Sequence, residues 1–153
     1  RSGVYRTIEM PVYDRFVAAR REAVPEAYLI PARLSGVVEL LRRHGIAVER
    51  LGQREAGPVE RFMVDRVLRG EPFEGHRTIL LEGDWARGAA EQASADWYVV
   101  RTGQSLGVLA AYLLEPASED GVATWNLLDA ELGPGRPYPI LRSRRAVAAA
   151  ADD

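Results

Sequence analysis

The stretch from Gln104 to Asn126, QSLGVLAAYLLEPASEDGVATWN, carries the clearest structural signals in the chain. Its apolar residues recur at the spacing of one face of an α-helix: Leu106, Leu109, Ala110 and Leu113. The rest of the stretch holds a proline, an acidic turn and a Trp-Asn pair. We therefore predict a helix that ends sharply and turns back into the core.

Different residues mark the two ends of this helix. Ser105 is predicted as its N-cap, and Pro116 disfavours α geometry at Glu115, so the helix should end there. Ser118 to Gly121 is predicted to form a turn in which Gly121 supplies a positive φ. Four apolar residues after the turn are predicted to return to the core: Val122, Trp125, Leu127 and Leu128.

A second helix is predicted earlier in the chain, from Leu34 to His44. Its apolar stripe follows the same spacing, at Leu34, Val37, Val38 and Leu41. Basic residues in the last turn suit the negative end of the helix dipole, and His44 is predicted to cap that end. Gly45 is placed just after the helix, with Ile46 as the apolar contact of a Schellman ending.

The remaining segments predict strands and loops. Strands are predicted at Val4–Met10, Val12–Ala19, Tyr28–Ile30, Val48–Leu51, Val59–Leu68, Thr78–Leu81, Trp97–Val100 and, as a last edge strand, Tyr138–Arg142. Gly83 to Ala95 is predicted to be a loop or a weak helix. The fold class is α+β, mainly antiparallel strands with two principal packed helices. A β-sandwich with appended helices is the nearest alternative, and the strand–helix alternation is too irregular for a doubly wound sheet.

The 153 residues fit a single domain, which we place at residues 1–142. Residues 143–153 have no core-forming pattern and are predicted to be a disordered tail. The chain begins at Arg1 with a strand predicted soon after, which suggests a fragment of a longer protein. Tyr28-Leu29-Ile30 and Tyr98-Val99-Val100 each precede a helix, 70 residues apart. This echo has two explanations, an internal duplication or the chance recurrence of a common unit.

Composition excludes several classes of protein. The net charge is −2, whereas nucleic-acid binders normally have a clearly basic face or total. There is no cysteine, so disulfides and thiolate chemistry are excluded. No apolar run approaches the roughly 20 residues that cross a bilayer, so no membrane span is predicted. We therefore predict a globular domain that does not bind nucleic acid and has no membrane span.

Most candidates for chemistry have an ordinary structural explanation beside the functional one. Glu115 and Asp120 are a possible acid–base pair, but their spacing indicates neither a cleft nor shifted pKa values, so we favour a helix-end or interface group and a turn former. Trp85, Trp97 and Trp125 are a possible sugar-binding platform, although buried tryptophan is more frequent. His76 is predicted on an exposed turn or an edge strand.

The string LLEPASEDGVATWN, followed by YPILR, resembles the C-terminal region of secreted bacterial proteins of the M14 zinc carboxypeptidase family. The residues that carry the resemblance are Tyr98, Val99, Val100, Gln104, Leu113, Leu114, Glu115, Pro116, Ser118, Asp120, Gly121, Trp125, Asn126, Tyr138, Pro139 and Arg142. Arg101 departs from the pattern, since relatives often have proline there. The resemblance implies a region downstream of a peptidase domain and a periplasmic or extracellular location.

The family's zinc site is not carried over. It uses a His-x-x-Glu pair and a distant histidine, with an open position for water. The residues three positions after His44 and His76 are Ala47 and Ile79, and there is no third histidine. We therefore expect no catalytic residue and no cofactor in this chain, and zinc in an absent catalytic domain.

The resemblance implies a non-catalytic accessory domain that docks on the upstream catalytic domain of the same polypeptide or shapes access to it. The candidate docking or binding residues are Gln104, Glu115, Asp120, Trp125 and Asn126. One alternative is a glycan- or peptide-binding module, which requires at least two of the three tryptophans to be exposed on one face. A weaker alternative is a small enzyme with Glu115, Asp120 and Asn126 in one cleft.

Overall fold

The computed structural model describes residues 3, 5, 7–15, 17, 21–51, 59–73, 75–87 and 96–144. It has six strands and two helices, in the order β1 (Ala27–Pro31), α1 (Ser35–Arg43), β2 (Glu49–Arg50), β3 (Val59–Phe73), β4 (His76–Arg87), β5 (Trp97–Arg101), α2 (Gly107–Leu114) and β6 (Leu141–Ser143).

All six strands form one sheet in the order β2-β5-β1-β6-β3-β4, and every pairing is antiparallel. The prediction of an α+β fold with mainly antiparallel strands and two helices is confirmed. The strands of the described residues do not divide into two sheets, so the sandwich alternative is not what the chain adopts. β1 lies inside the sheet with every residue buried, which explains why AYLIP is apolar without alternation.

The main core lies between one face of the sheet and the two helices. Alternate residues of the inner strands point to this face, among them Tyr28, Ile30 and Val100, where they join α1 and α2 in one cluster. Leu29, Val99 and Leu141 belong to a separate cluster with the opposite parity. Both helices therefore pack on one face, and a smaller apolar cluster occupies the other.

Helix α1 ends in the Schellman motif that the sequence predicted. The amide of Ile46 donates to the carbonyl of Leu41 over 3.0 Å, and the amide of Gly45 donates to that of Arg42 over 2.9 Å. Gly45 has φ 78°, which costs glycine little. His44 is the C-cap, and its Nδ1 lies 2.9 Å from the carbonyl oxygen of Leu40. The predicted capping role of His44 is confirmed.

Helix α2 ends as predicted but begins differently. Glu115 is its C-cap, with extended ψ of 132°, as expected before Pro116. The N-cap is Leu106, without a side-chain cap, so the prediction of Ser105 is wrong. Gly121 is not among the glycines with positive φ; it is needed because a Cβ would lie 2.9 Å from the Cβ of Ser118.

The echo in the sequence corresponds to an approximate two-fold relationship in the sheet. β1 pairs antiparallel with β5, and Leu29 lies opposite Val99, the residue 70 positions later. Tyr28 and Ile30 lie opposite Val100 and Tyr98, so equivalent residues of the two strands pair symmetrically about Leu29 and Val99. Each strand is followed by a helix on the same face. The geometry is what an internal duplication would produce.

Four predictions are corrected: two strands, one loop and the edge position of the last strand. Residues 7–15 have no regular structure and are exposed, because no neighbouring strand pairs with them; the other residues of the predicted strands at 4–19 lie partly outside the described set. Gly83 to Arg87 belongs to β4 rather than to a loop, while residues 88–95 lie outside the described part. The last strand is not at an edge, since β6 lies between β1 and β3.

Ser143, placed at the start of the predicted tail, is the buried last residue of β6, and residues 145–153 lie outside the described part. Among the described helices, none has the length and apolar character needed to cross a bilayer.

Candidate functional site

The five candidate docking residues lie in different environments. Gln104 and Asn126 bond mainly to backbone groups, Asp120 and Trp125 form a pair at the surface, and Glu115 belongs to a buried ionic cluster. The structure therefore brings only Asp120 and Trp125 together through a direct contact.

The side-chain amide of Gln104 joins two parts of the chain. Its Oε1 accepts a 2.8 Å hydrogen bond from the amide of Ala47, and its Nε2 donates to the carbonyls of Ala47 and Arg101 over 3.2 and 2.7 Å. These bonds hold the segment after α1 against the end of β5. Gln104 therefore has a structural role in the described part of the chain.

Asn126 fixes the loop after α2 to β4. It has φ 65°, a conformation that asparagine tolerates better than most residues. Its Nδ2 donates to the carbonyl of Arg77 over 3.0 Å and to Oδ1 of Asp129 over 3.2 Å. This conformation turns the chain just after Trp125.

Trp125 lies at the surface, with 51% of its area exposed, so the prediction that it returns to the core is wrong. Its indole nitrogen donates a hydrogen bond to Oδ1 of Asp120. The ring also stacks on His76, with centroids 4.5 Å apart and planes inclined by 24°. His76 begins β4, an edge strand, as predicted. The exposed tryptophan is thus held on two sides.

Beside Trp125 is an apolar cavity of about 460 Å³. Leu40 from α1, Leu113 from α2, and Leu127 line it together with the indole. We call these four residues the Trp125 surface. His44 and Asp120 also line the cavity. A concave apolar surface with a fixed aromatic ring and polar groups is suited to binding a polypeptide segment.

Arg142 is the buried centre of an ionic cluster on the helix-covered face of the sheet. Tyr28, Arg142 and Glu60 lie opposite one another on β1, β6 and β3. The guanidinium approaches Glu22, Glu60 and Glu115 at 3.3, 3.4 and 3.2 Å. It also lies 3.5 Å from the ring centroid of Trp85. We call Tyr28, Glu22, Glu60, Glu115 and Arg142 the Arg142 cluster.

This cluster joins α2 to the sheet, because Glu115 is the C-cap of the helix. The hydroxyl of Tyr28 donates to Oε1 of Glu115 over 2.5 Å. Burial and the nearby carboxylate raise the pKa of Tyr28 well above its usual range, so this hydroxyl keeps its proton. Burial also raises the pKa of Glu115, while Tyr28 and Arg142 oppose that shift. The sequence indicated Glu115 as a helix end but gave no sign of its buried partners.

Stability is expected to depend on pH through Glu115. The ordinary pKa of this carboxyl is 4.5 and folding raises it, so the native state binds the proton more tightly. The stabilisation that comes from protonating Glu115 is present in full below its unfolded pKa and is lost as pH rises through its folded pKa. As pH falls through the raised pKa of folded Glu115 towards the ordinary value of 4.5, acidification should therefore favour the wild-type chain over Glu115→Gln. Urea unfolding of both chains measures this difference; a change favouring Glu115→Gln would contradict it.

The other tryptophans are not exposed in the way that Trp125 is. Trp85 packs edge-on against Phe62, with centroids 5.4 Å apart, beneath the guanidinium of Arg142. Trp97 is half-buried against the smaller apolar cluster. The glycan-binding hypothesis required at least two exposed tryptophans on one face, and the structure does not meet this requirement.

Glu115 and Asp120 do not share a cleft. Glu115 lines a cavity beside α2, Asp120 lines the cavity beside Trp125, and Asn126 bonds to Arg77 and Asp129. The structure therefore does not bring these three residues together in either of these cavities, as the small-enzyme hypothesis requires. Within the described residues, no three His, Cys, Asp or Glu side chains are grouped so that they could hold a metal ion. These residues therefore do not supply the three protein ligands that a catalytic zinc ion requires.

Comparison with known proteins gives one consistent similarity. The chain is 31% identical over 119 residues to a protein named carboxypeptidase 2 from Trichophyton rubrum, and 32% identical over 119 residues to its namesake from Trichophyton tonsurans. Each match covers 77% of this chain and 22% of the relative, so the chain spans about a fifth of the length of the curated relatives it matches. No family model and no solved structure matches. The relatives are fungal and do not support the bacterial origin suggested by the resemblance.

Proposed function

We propose that this chain is a non-catalytic accessory domain of a larger zinc carboxypeptidase, and that it docks on the catalytic domain through the Trp125 surface. The similarity to carboxypeptidase 2 supports the class of parent protein, and the match to 22% of those relatives supports a role as one part of it. The resemblance to C-terminal regions of the M14 family supports a catalytic domain upstream. A periplasmic or extracellular location belongs to the same proposal.

The observation that carries the docking role is the exposed and fixed indole of Trp125. Large aromatic side chains provide much of the binding energy at protein interfaces, particularly where they lie beside apolar pockets. The bond to Asp120 and the stack on His76 hold the ring before any partner arrives. A side chain already held in place loses less conformational entropy on binding. We therefore expect the Trp125 surface to bind a partner with little further loss of side-chain entropy.

Zinc and the catalytic carboxylate are placed in the catalytic domain. His44 contacts the carbonyl of Leu40, and His76 stacks on Trp125, so each histidine has a structural contact in this chain. The role assigned to the chain is to stabilise the catalytic domain or to shape access to its site. The chain itself is expected to leave peptide bonds intact in the presence of zinc.

The test begins with the complete polypeptide in which this chain occurs. Its catalytic domain and this chain are produced separately, and their binding is measured by calorimetry. Trp125→Ala is expected to weaken binding about thirtyfold, which corresponds to the roughly 2 kcal/mol of an interface hot spot, while the chain stays folded. Leu80→Ala is the matched control, because Leu80 is exposed on β4 and does not line the Trp125 cavity.

Two outcomes would reject the proposal. One is a complete polypeptide without a His-x-x-Glu peptidase domain. The other is hydrolysis of C-terminal residues by this chain alone with zinc, lost on Glu115→Ala. Equal binding by the wild-type and Trp125→Ala chains would reject only the docking surface.

A further inference from the structure

A second concave surface lies on the outer side of α2. Helix α2 is apolar all round: Ala110, Ala111 and Leu114 are buried in the core, whereas Val108 and Tyr112 are 76% and 48% exposed. A helix without a polar face is normally covered on every side. The outer side therefore has the character of a surface that receives a partner.

The cavity along this side has a volume of about 260 Å³. Val24, from the segment before β1, faces Val108 and Tyr112 across it, and all three are exposed. The cavity is also lined by Glu22, Tyr28 and Glu115. We call this cavity the Val108 groove. It is independent of the Trp125 surface, since the two cavities share no lining residue.

The charged side chains that line the groove are both carboxylates, Glu22 and Glu115. Arg142 contacts both, but it is buried and is not part of the lining. At Glu115, Oε1 accepts from Tyr28 and Arg142, while Oε2 has a longer contact with Arg142 at 3.5 Å. A carboxylate offers about four acceptor positions, so Glu115 has capacity for a further donor.

Apolar walls with carboxylates among the lining match one kind of side chain. Arginine and lysine have an apolar stem that packs on hydrophobic surface and a cationic head that requires an acceptor. An anionic occupant would be opposed by both carboxylates, and a purely apolar one would leave the remaining acceptor capacity of Glu115 without a donor. We propose that the Val108 groove binds an arginine or lysine side chain presented by a polypeptide partner.

The proposal is tested on the full chain, labelled with nitrogen-15, by titration with short peptides observed by NMR. The probes are acetyl-Gly-Arg-Gly-amide and its norleucine and glutamate counterparts. We expect amide shifts confined to residues 108–118 and the segment around Val24. The arginine peptide should bind at least tenfold more tightly than the norleucine peptide, and the glutamate peptide more weakly than either.

Paired variants separate the groove from general effects. Glu115→Gln and Tyr112→Ala should each weaken binding of the arginine peptide at least fivefold. Their controls are Glu119→Gln and Tyr13→Ala, which alter exposed residues outside the groove and should leave binding unchanged. If Glu115→Gln fails to fold, Tyr112→Ala still reports on the groove.

Equal binding of the arginine and norleucine peptides would overturn the proposal, as would shifts located elsewhere or equal losses in the controls. Self-association that Tyr112→Ala abolishes would also overturn it, because the occupant would then be a second copy. The assay uses this chain and small peptides only. Its result is therefore separate from the test of docking on a catalytic domain.

Discussion

Replacement of Arg142 by methionine is expected to lower the free energy of unfolding by about 3–5 kcal/mol, the usual cost of removing one partner from a buried ion pair. Arg142 is only 1% exposed and lies among Glu22, Glu60 and Glu115. Without the guanidinium, Glu60 and Glu115 stay partly buried and each loses its contact with Arg142, although Arg144 still pairs with Glu60 and Tyr28 still donates to Glu115. Urea denaturation followed by far-ultraviolet circular dichroism measures the loss. Tryptophan fluorescence is not used, because Arg142 lies over the Trp85 ring and its replacement would change the fluorescence directly.

The matched control is Arg33→Met. Arg33 forms a two-pronged bond with Glu131, but its side chain is 56% exposed, so the loss should be about 0.2–1 kcal/mol. The double variant Arg142→Met with Glu115→Gln should recover part of the loss, because it removes one of the partly buried charges that Arg142 balanced. A loss for Arg142→Met no larger than that for Arg33→Met would show that the Arg142 cluster does not join α2 to the sheet.

The helices could be predicted from the sequence because their signals are local. The apolar stripe of α1, the positive φ of Gly45 and the break at Pro116 each act within a few residues, and the structure contains all three. The offset between Tyr28 and Tyr98 also anticipated strands that prove to be direct neighbours. Local geometry was sufficient for the helix features, and the repeated pattern alone indicated the two strands.

Features that depend on distant partners were missed. The alternation in residues 4–10 suggests a strand, but a strand requires a neighbour, and the described residues there have none. Arg142 occurs in the motif YPILR, yet its central position depends on Glu22 and Glu115, which lie 120 and 27 residues away. The sequence held one signal of a buried arginine, because Arg142 directly follows the apolar residues Ile140 and Leu141.

The candidate site was predicted in part for the same reason. Asp120 and Trp125 lie close in the sequence and do form a pair, although the burial of Trp125 was predicted wrongly. The residue that follows it, Asn126, has a left-handed conformation and bonds to β4, a contact across 49 residues. Sequence spacing alone does not report such a contact.

Replacement of Gly107 by alanine is expected to destabilise the fold by about 3 kcal/mol, the upper part of the usual range for overpacking. A Cβ at this first residue of α2 would lie 1.7 Å from the carbonyl oxygen of Thr102 and 2.6 Å from its carbon. Both are backbone atoms, so no side-chain rotation relieves the clash. Thr102 is also held in place by the segment before β1. Its amide donates to the backbone carbonyl of Glu26 over 3.1 Å, and its hydroxyl donates to the backbone carbonyl of Pro25 over 2.5 Å.

Gly36→Ala provides the comparison, because Gly36 lies in the first turn of α1 with nothing within 4 Å of a built Cβ. That change should be neutral or stabilise by about 0.5–1 kcal/mol, since alanine favours the helix. Thermal and urea unfolding of both variants measure the contrast. If Gly107→Ala were as stable as Gly36→Ala, the start of α2 would not be fixed by contact with Thr102. The close approach at Gly107 would then not be what positions Val108 and Tyr112 along the Val108 groove.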